Sequence, residues 1–176
     1  FGHETFLDRL VRVFGAHCAP VAAVLGHGAE AVARGLEFPE AALLALNPRP
    51  ERGQFSSLQT GLRAAIRPNH AVFFHPVDVP GIRLGTVARL CAAWAQAPPG
   101  TQGLKPVYRG KSGHPVLLGA PLAAELLTLP AETVARDALA RHAAAIALVE
   151  VDDAWILRDA DTPEEYRALW KGAAPE

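Results

Sequence analysis

Residues 71–80 read AVFFHPVDVP. Ala71 to His75 is an apolar run short enough for a buried strand, and it gives way to one carboxylate, Asp78, set between Pro76 and Pro80. A strand that stops on such a stiff turn puts Asp78 at its carboxyl end. In an open parallel sheet, that is where loops present groups to a bound molecule. Whether the sheet is of that kind depends on what lies to either side.

Upstream, Thr5, Asp8 and the series Phe6, Leu7, Leu10, Val11 and Phe14 predict an N-capped helix ending near Gly15. A short apolar strand follows at Val21–Leu25, a helix at Ala29–Leu36 and a second strand at Leu43–Leu46. Asn47–Gly53, NPRPERG, is a polar loop, and Leu58, Leu62 and Ile66 then share one face of a helix from Phe55 to Ile66. Strands separated by helices of this length imply parallel pairing through right-handed crossovers. The expected fold class is α/β.

Downstream, a helix over Leu84–Ala95 and a turn at Ala97–Gly100 precede KPVYRGKSGHPVLL, whose two strand-like runs around a glycine turn suggest a long hairpin. Helices at Pro121–Leu127 and Val134–Ala144 lead to a last strand, Ile146–Val151. In DTPEEYRALW, Thr162 as N-cap, Pro163 at the first helical position and Glu165 at the third form a capping box.

The 176 residues, 50% hydrophobic and 20% charged, suit one globular domain. A net charge of −1 with scattered lysines and arginines gives no surface for a polyanion, so nucleic acid is not an expected partner. No apolar run approaches the ~20 residues that span a bilayer, and nothing resembles a signal peptide, which makes the cytoplasm the default location. Cys18 and Cys91 lack any CxxC or histidine cluster and read as two buried thiols in a reducing compartment.

Asp78 has no basic neighbour nearer in sequence than Arg83, which suits a hard oxygen ligand for Mg²⁺; a turn-capping aspartate is the plainer alternative. Asp161 is the second candidate, and Asp159 points the other way if the backbone is extended. Acidic residues before a helix also serve its dipole. Gly113-His114 sits near Lys105, Arg109 and Lys111, where a turn can offer donors to a phosphorylated ligand or simply form a solvated basic face. No GxSxG and no activated cysteine supports nucleophilic catalysis.

Four stretches in order resemble the MobA-like NTP transferases, especially the molybdenum cofactor cytidylyltransferase branch: NPRPERGQFSSLQTGL, HPVDVP, YRGKSGHPVLL and LRDADTPEEY. The resemblance implies a three-layer α/β/α Rossmann-like nucleotidyltransferase with a mostly parallel sheet, which moves a nucleoside monophosphate from an NTP to a phosphorylated acceptor and releases pyrophosphate. It implies that Asp78 and Asp161 hold Mg²⁺ against the phosphates. It also implies that Asn47, Gly53 and Ser57 border the nucleotide, CTP or GTP with CTP favoured, and that Gly113 and His114 face the acceptor, molybdopterin being one candidate.

That family's first strand and its LAxGxSxRMGxxK phosphate loop belong immediately before Phe1. Residues 1–176 therefore read as a single nucleotidyltransferase-like domain without those parts, expected to be inactive or crippled as it stands. PAETVARDAL matches the family's GxRGAR-like stretch only at Ala135-Arg136, leaving the acceptor open between molybdopterin and a sugar phosphate. A non-catalytic nucleotide- or cofactor-binding protein of the same fold is the reading from another class.

Overall fold

The computed structural model describes residues 4–162 and 164–167. Helix α1, Phe6–Gly15, starts as its sequence predicts: the Thr5 hydroxyl accepts the Asp8 amide at 3.0 Å. Strand β1, Ala22–Leu25, and strand β2, Leu43–Leu46, flank helix α2, Ala29–Arg34, and pair in parallel. Helix α3, Gln54–Ala65, leads to strand β3, Val72–Phe74. Helix α4, Leu84–Ala95, is followed by strands β4, Gly103–Tyr108, β5, Lys111–Ser112, and β6, Val116–Leu118. Helices α5, Ala120–Leu126, and α6, Ala135–Ala140, precede strand β7, Ile146–Glu150. The expected helix to Ala144 stops early, and Ala143–Ala145 is a 3-10 turn instead.

Side-chain alternation along the strands sorts the helices into two layers. Leu117 of β6 packs with Leu104, Val149 and Leu90 of α4, while α1 adds Leu10, Val13 and Phe14 against Val79, Ile82 and Val87. Val116 and Leu118 point the other way, into Phe55 and Leu62 of α3, Leu122 and Leu126 of α5 and Leu139 of α6. Helices therefore cover both faces of β6, which is why three consecutive apolar residues are buried there. Truncating Leu118, which is 0% exposed, to alanine costs about 2–5 kcal/mol.

The sheet corrects the expectation of mostly parallel pairing. Among the described residues, β1–β2 and β4–β7 are parallel, whereas β3–β6, β4–β6 and β4–β5 are antiparallel. The reason is the turn at Arg109-Gly110, whose φ values of 49° and 78° make a two-residue hairpin. So short a link permits only antiparallel return. The returning arm then inserts β6 between β3 and β4, so β3, β4 and β7 still run the same way. Their carboxyl ends share one edge, and the turn bearing Asp78 leaves from it. No ladder joins β1–β2 to the larger sheet among the described residues; α3 packs on both β1 and β3.

Candidate active site

Asp78 is half-buried, and its Oδ1 is enclosed without a hydrogen-bond partner. Burial first, and then the neighbouring Asp161 and Asp159, push its carboxyl above the ordinary carboxylate range. The two candidate carboxylates, 83 positions apart by number, are thus brought together. The Ala160 amide donates to the Asp78 carbonyl at 2.8 Å and lays the 159–161 segment along the turn. Of the two, Asp161 has the larger effect on Asp78 and Asp159 the smaller. Beyond them the capping box forms: Glu165 accepts the Thr162 amide at 2.8 Å and the Thr162 hydroxyl accepts the Glu165 amide at 3.2 Å, while Pro163 lies outside the described residues.

An enclosed, unpartnered carboxylate oxygen facing a second carboxylate fits a hard divalent cation. Among the described residues no group of three or more histidine, cysteine or acidic side chains converges on a metal position. Two carboxylates, with phosphate oxygens and water completing the shell, are the donor set that Mg²⁺ takes.

Asn47, Gly53 and Ser57 also meet. The buried Asn47 amide donates to the hydroxyls of Ser56 at 2.8 Å and Ser57 at 3.0 Å, and its Oδ1 accepts the Arg49 amide at 3.0 Å. Gly53, with φ of 93°, caps α3, and its carbonyl accepts the Ser56 hydroxyl at 2.7 Å. Each polar end of the Asn47 side chain is therefore engaged, one by its own loop and the other by the first turn of α3. Its part is to shape the 47–53 backbone before α3.

Gly113 and His114 occupy a bulge. Leu104 pairs with Leu117 and Val107 with Ser112, so two residues of β4 face four of the returning arm, 113–116. A Cβ on Gly113 would strike the carbonyl of Ile156, in the 3-10 turn Ala154–Leu157, and the His114 amide donates to that same carbonyl at 3.0 Å. Gly113 thus serves close backbone approach. Burial, then the nearby Lys105, lowers His114 to about 4, so at neutral pH its imidazole is uncharged. Lys105, half-buried beside the histidine, is itself lowered by burial and then by Arg136.

Two residues at this site carry no signal in the local pattern. His75 bonds the Val79 carbonyl at 2.8 Å and meets His114 edge to face, with ring centroids 6.1 Å apart. Asp153, 2% exposed, accepts the Arg83 amide, the Thr86 hydroxyl and the Trp155 amide, capping α4 from the opposite loop. An aspartate whose work is tertiary reads in sequence like any turn residue.

Among solved structures, Rv0371c of Mycobacterium tuberculosis H37Rv in complex with manganese is 20% identical, with 95% of this chain and 86% of that one covered at a TM-score of 0.74. Its homologue from Mycobacterium sp. strain JC1 is 21% identical, with coverage of 94% and 81% and a TM-score of 0.72. 4-Diphosphocytidyl-2C-methyl-D-erythritol synthase is 17% identical, with coverage of 93% and 86% and a TM-score of 0.59. These likenesses establish the α/β nucleotidyltransferase-like fold. Comparison with curated proteins gave no match. No helix of the described residues is long and apolar enough to cross a membrane. Residues 1–146 match the MobA-like NTP transferase domain, and the chain therefore belongs to that family of nucleotidyltransferases, which take a nucleoside triphosphate as substrate.

Proposed function

We propose that the protein transfers a nucleoside monophosphate, CMP in preference to GMP, from the triphosphate to a phosphorylated small molecule such as molybdopterin, with Mg²⁺ as the working cation. The observation that carries this reading is the enclosed, unpartnered Oδ1 of Asp78 beside Asp161 at the carboxyl edge of the sheet. Bound there, the cation supplies neutralisation of charge on the α-phosphate and the departing pyrophosphate. Asp78 and Asp161 are the groups that hold it.

The loop of Asn47, Gly53 and Ser57 borders the nucleotide through its fixed backbone. Gly113 and His114 border the acceptor, where the neutral imidazole orients by hydrogen bonding and Lys105 with Arg136 supplies positive charge for an acceptor phosphate. CMP is favoured by the GHPV and DADTPEEY segments and by the cytidyl product named for one structural neighbour; the manganese bound by another supports a divalent cation.

The test is pyrophosphate release by the full-length protein with Mg²⁺ or Mn²⁺, from CTP, GTP, ATP and UTP in turn, with molybdopterin, a sugar phosphate or no acceptor. Molybdopterin-dependent release from CTP, lost in Asp78→Asn, is expected. Release that prefers another base or acceptor corrects the substrate, and equal release by Asp78→Asn removes Asp78 from the chemistry.

A further inference from the structure

The segment that carries Asp78 is held carbonyl by carbonyl. The Asp78 carbonyl accepts the Ala160 amide at 2.8 Å, the Val79 carbonyl is bonded by His75 Nε2 at 2.8 Å, and Arg9 takes two of the following three. Arg9 Nε donates to the Pro80 carbonyl at 3.0 Å and Nη2 to the Ile82 carbonyl at 3.3 Å. The segment ends where Asp153 accepts the Arg83 amide at 3.0 Å.

Arg9 is 4% exposed, a rare setting for a guanidinium. A buried charge is expensive unless its hydrogens are engaged, and a planar fork that spans two carbonyls is something arginine offers and lysine does not. The described charges that act on Arg9 are Arg12, Glu4 and Asp153; Asp78 is absent from them, and Arg9 is likewise absent from those acting on Asp78. The cation grips the turn by its backbone carbonyls.

We propose that Arg9 is a positioning residue for nucleotidyl transfer: from α1 it fixes the Asp78 turn by its Pro80 and Ile82 carbonyls, so that the carboxylate is held in place and left available to a divalent cation. The inference rests on the role given to Asp78 above. Displacements of about 1 Å at such a group cost on the order of a hundredfold in rate, which is why a distant anchor matters.

The experiment compares Arg9→Met, Arg9→Lys, Asp78→Asn and the Arg9→Met/Asp78→Asn double variant in the full-length protein. Mn²⁺ affinity is read by electron paramagnetic resonance titration, kcat and KM by pyrophosphate release, and folding by circular dichroism. Arg9→Met is expected to fold, to weaken Mn²⁺ binding about tenfold and to lower kcat at least tenfold, with the acceptor KM within twofold of wild type. Arg9→Lys, with one point donor, should fall between, and in the Asp78→Asn background Arg9→Met should change neither quantity further. A folded Arg9→Met with wild-type Mn²⁺ affinity and kcat overturns the proposal, as does an undiminished loss in the Asp78→Asn background. Should Arg9→Met not fold, Arg9→Lys decides: wild-type values overturn the proposal and a loss confined to Mn²⁺ affinity and kcat sustains it. Wild-type behaviour of Asp78→Asn alone refutes the reading of Asp78 itself, a failure distinct from that of Arg9.

Discussion

The amide of Ala160 bonds the carbonyl of Asp78 at 2.8 Å. Because that bond is main chain to main chain, the two acidic residues on either side of Ala160 can be altered without releasing the segment from the turn. Their electrostatic effect on Asp78 is then separable from their scaffolding.

Replacing Asp161 by asparagine should lower pyrophosphate release about a hundredfold, in the range seen when one electrostatic contact to a transition state is lost. The same change at Asp159, the weaker of the two influences on Asp78, should cost less than about threefold. Parallel assays of the two variants at saturating Mg²⁺ check this. Equal losses would mean that the segment presents both carboxylates alike.

Acid should destabilise the fold through its buried imidazoles. Burial lowers His75 to about 3 and His114 to about 4, below the ordinary 6.5. The unfolded chain therefore binds protons first as pH falls, so the stability these groups allow is intact above about 6.5 and is lost progressively toward the folded values, at about 1.4 kcal/mol per pH unit for each group. Urea unfolding at pH 7, 5.5 and 4 measures the slope, and His75→Gln should flatten it. An unchanged slope would assign acid sensitivity to other groups.

Gly113→Ala should destabilise by about 1–3 kcal/mol, since the new methyl meets the Ile156 carbonyl and the 3-10 turn must move. A shift in the denaturation midpoint measures it. The same displacement would pull on the His114 amide, so activity should fall further than stability alone predicts.

Cys18 and Cys91 pack against the same cluster between α1 and α4, and burial first, then the nearby Cys91, pushes the Cys18 thiol up from 9.0 to about 11. At pH 8 its thiolate fraction should be about a hundredfold below that of an ordinary thiol. Iodoacetamide labelling followed by mass spectrometry should find Cys18 protected in the native protein and reactive after unfolding.

The alternation of strand and helix and the apolar face of α3 were legible because each is local: Leu58, Leu62 and Ile66 all pack on the core that their spacing predicts. Asp78 and Asp161 were legible as separate motifs, though the backbone bond from Ala160 to Asp78 and the packing of Ala160 on Trp155 are encoded by no spacing. The antiparallel arm was partly visible in its glycine turn, yet its insertion between β3 and β4 is a long-range choice. Arg9 could not have been picked out, since an arginine in an amphipathic helix reads as solvent-facing and its carbonyl partner lies 71 residues on. The polar ends of Asn47 turn out to be occupied by Ser56, Ser57 and Arg49, contacts that its residue type alone does not reveal and that define a scaffolding part.

The bulge that carries His114 adds two residues to one arm, and two is an even number. Side chains alternate along a strand, so an even insertion restores the same parity on the far side: Val116 and Leu118 still face α3 and α5, and Leu117 still faces α4. Deleting one residue between Ser112 and Val116 would turn those three side chains inside out, whereas deleting two would leave them in phase and remove the protrusion together with its contacts to Ile156. The loop that carries Gly113 and His114 can therefore lengthen or shorten in pairs while the core keeps its inside and outside.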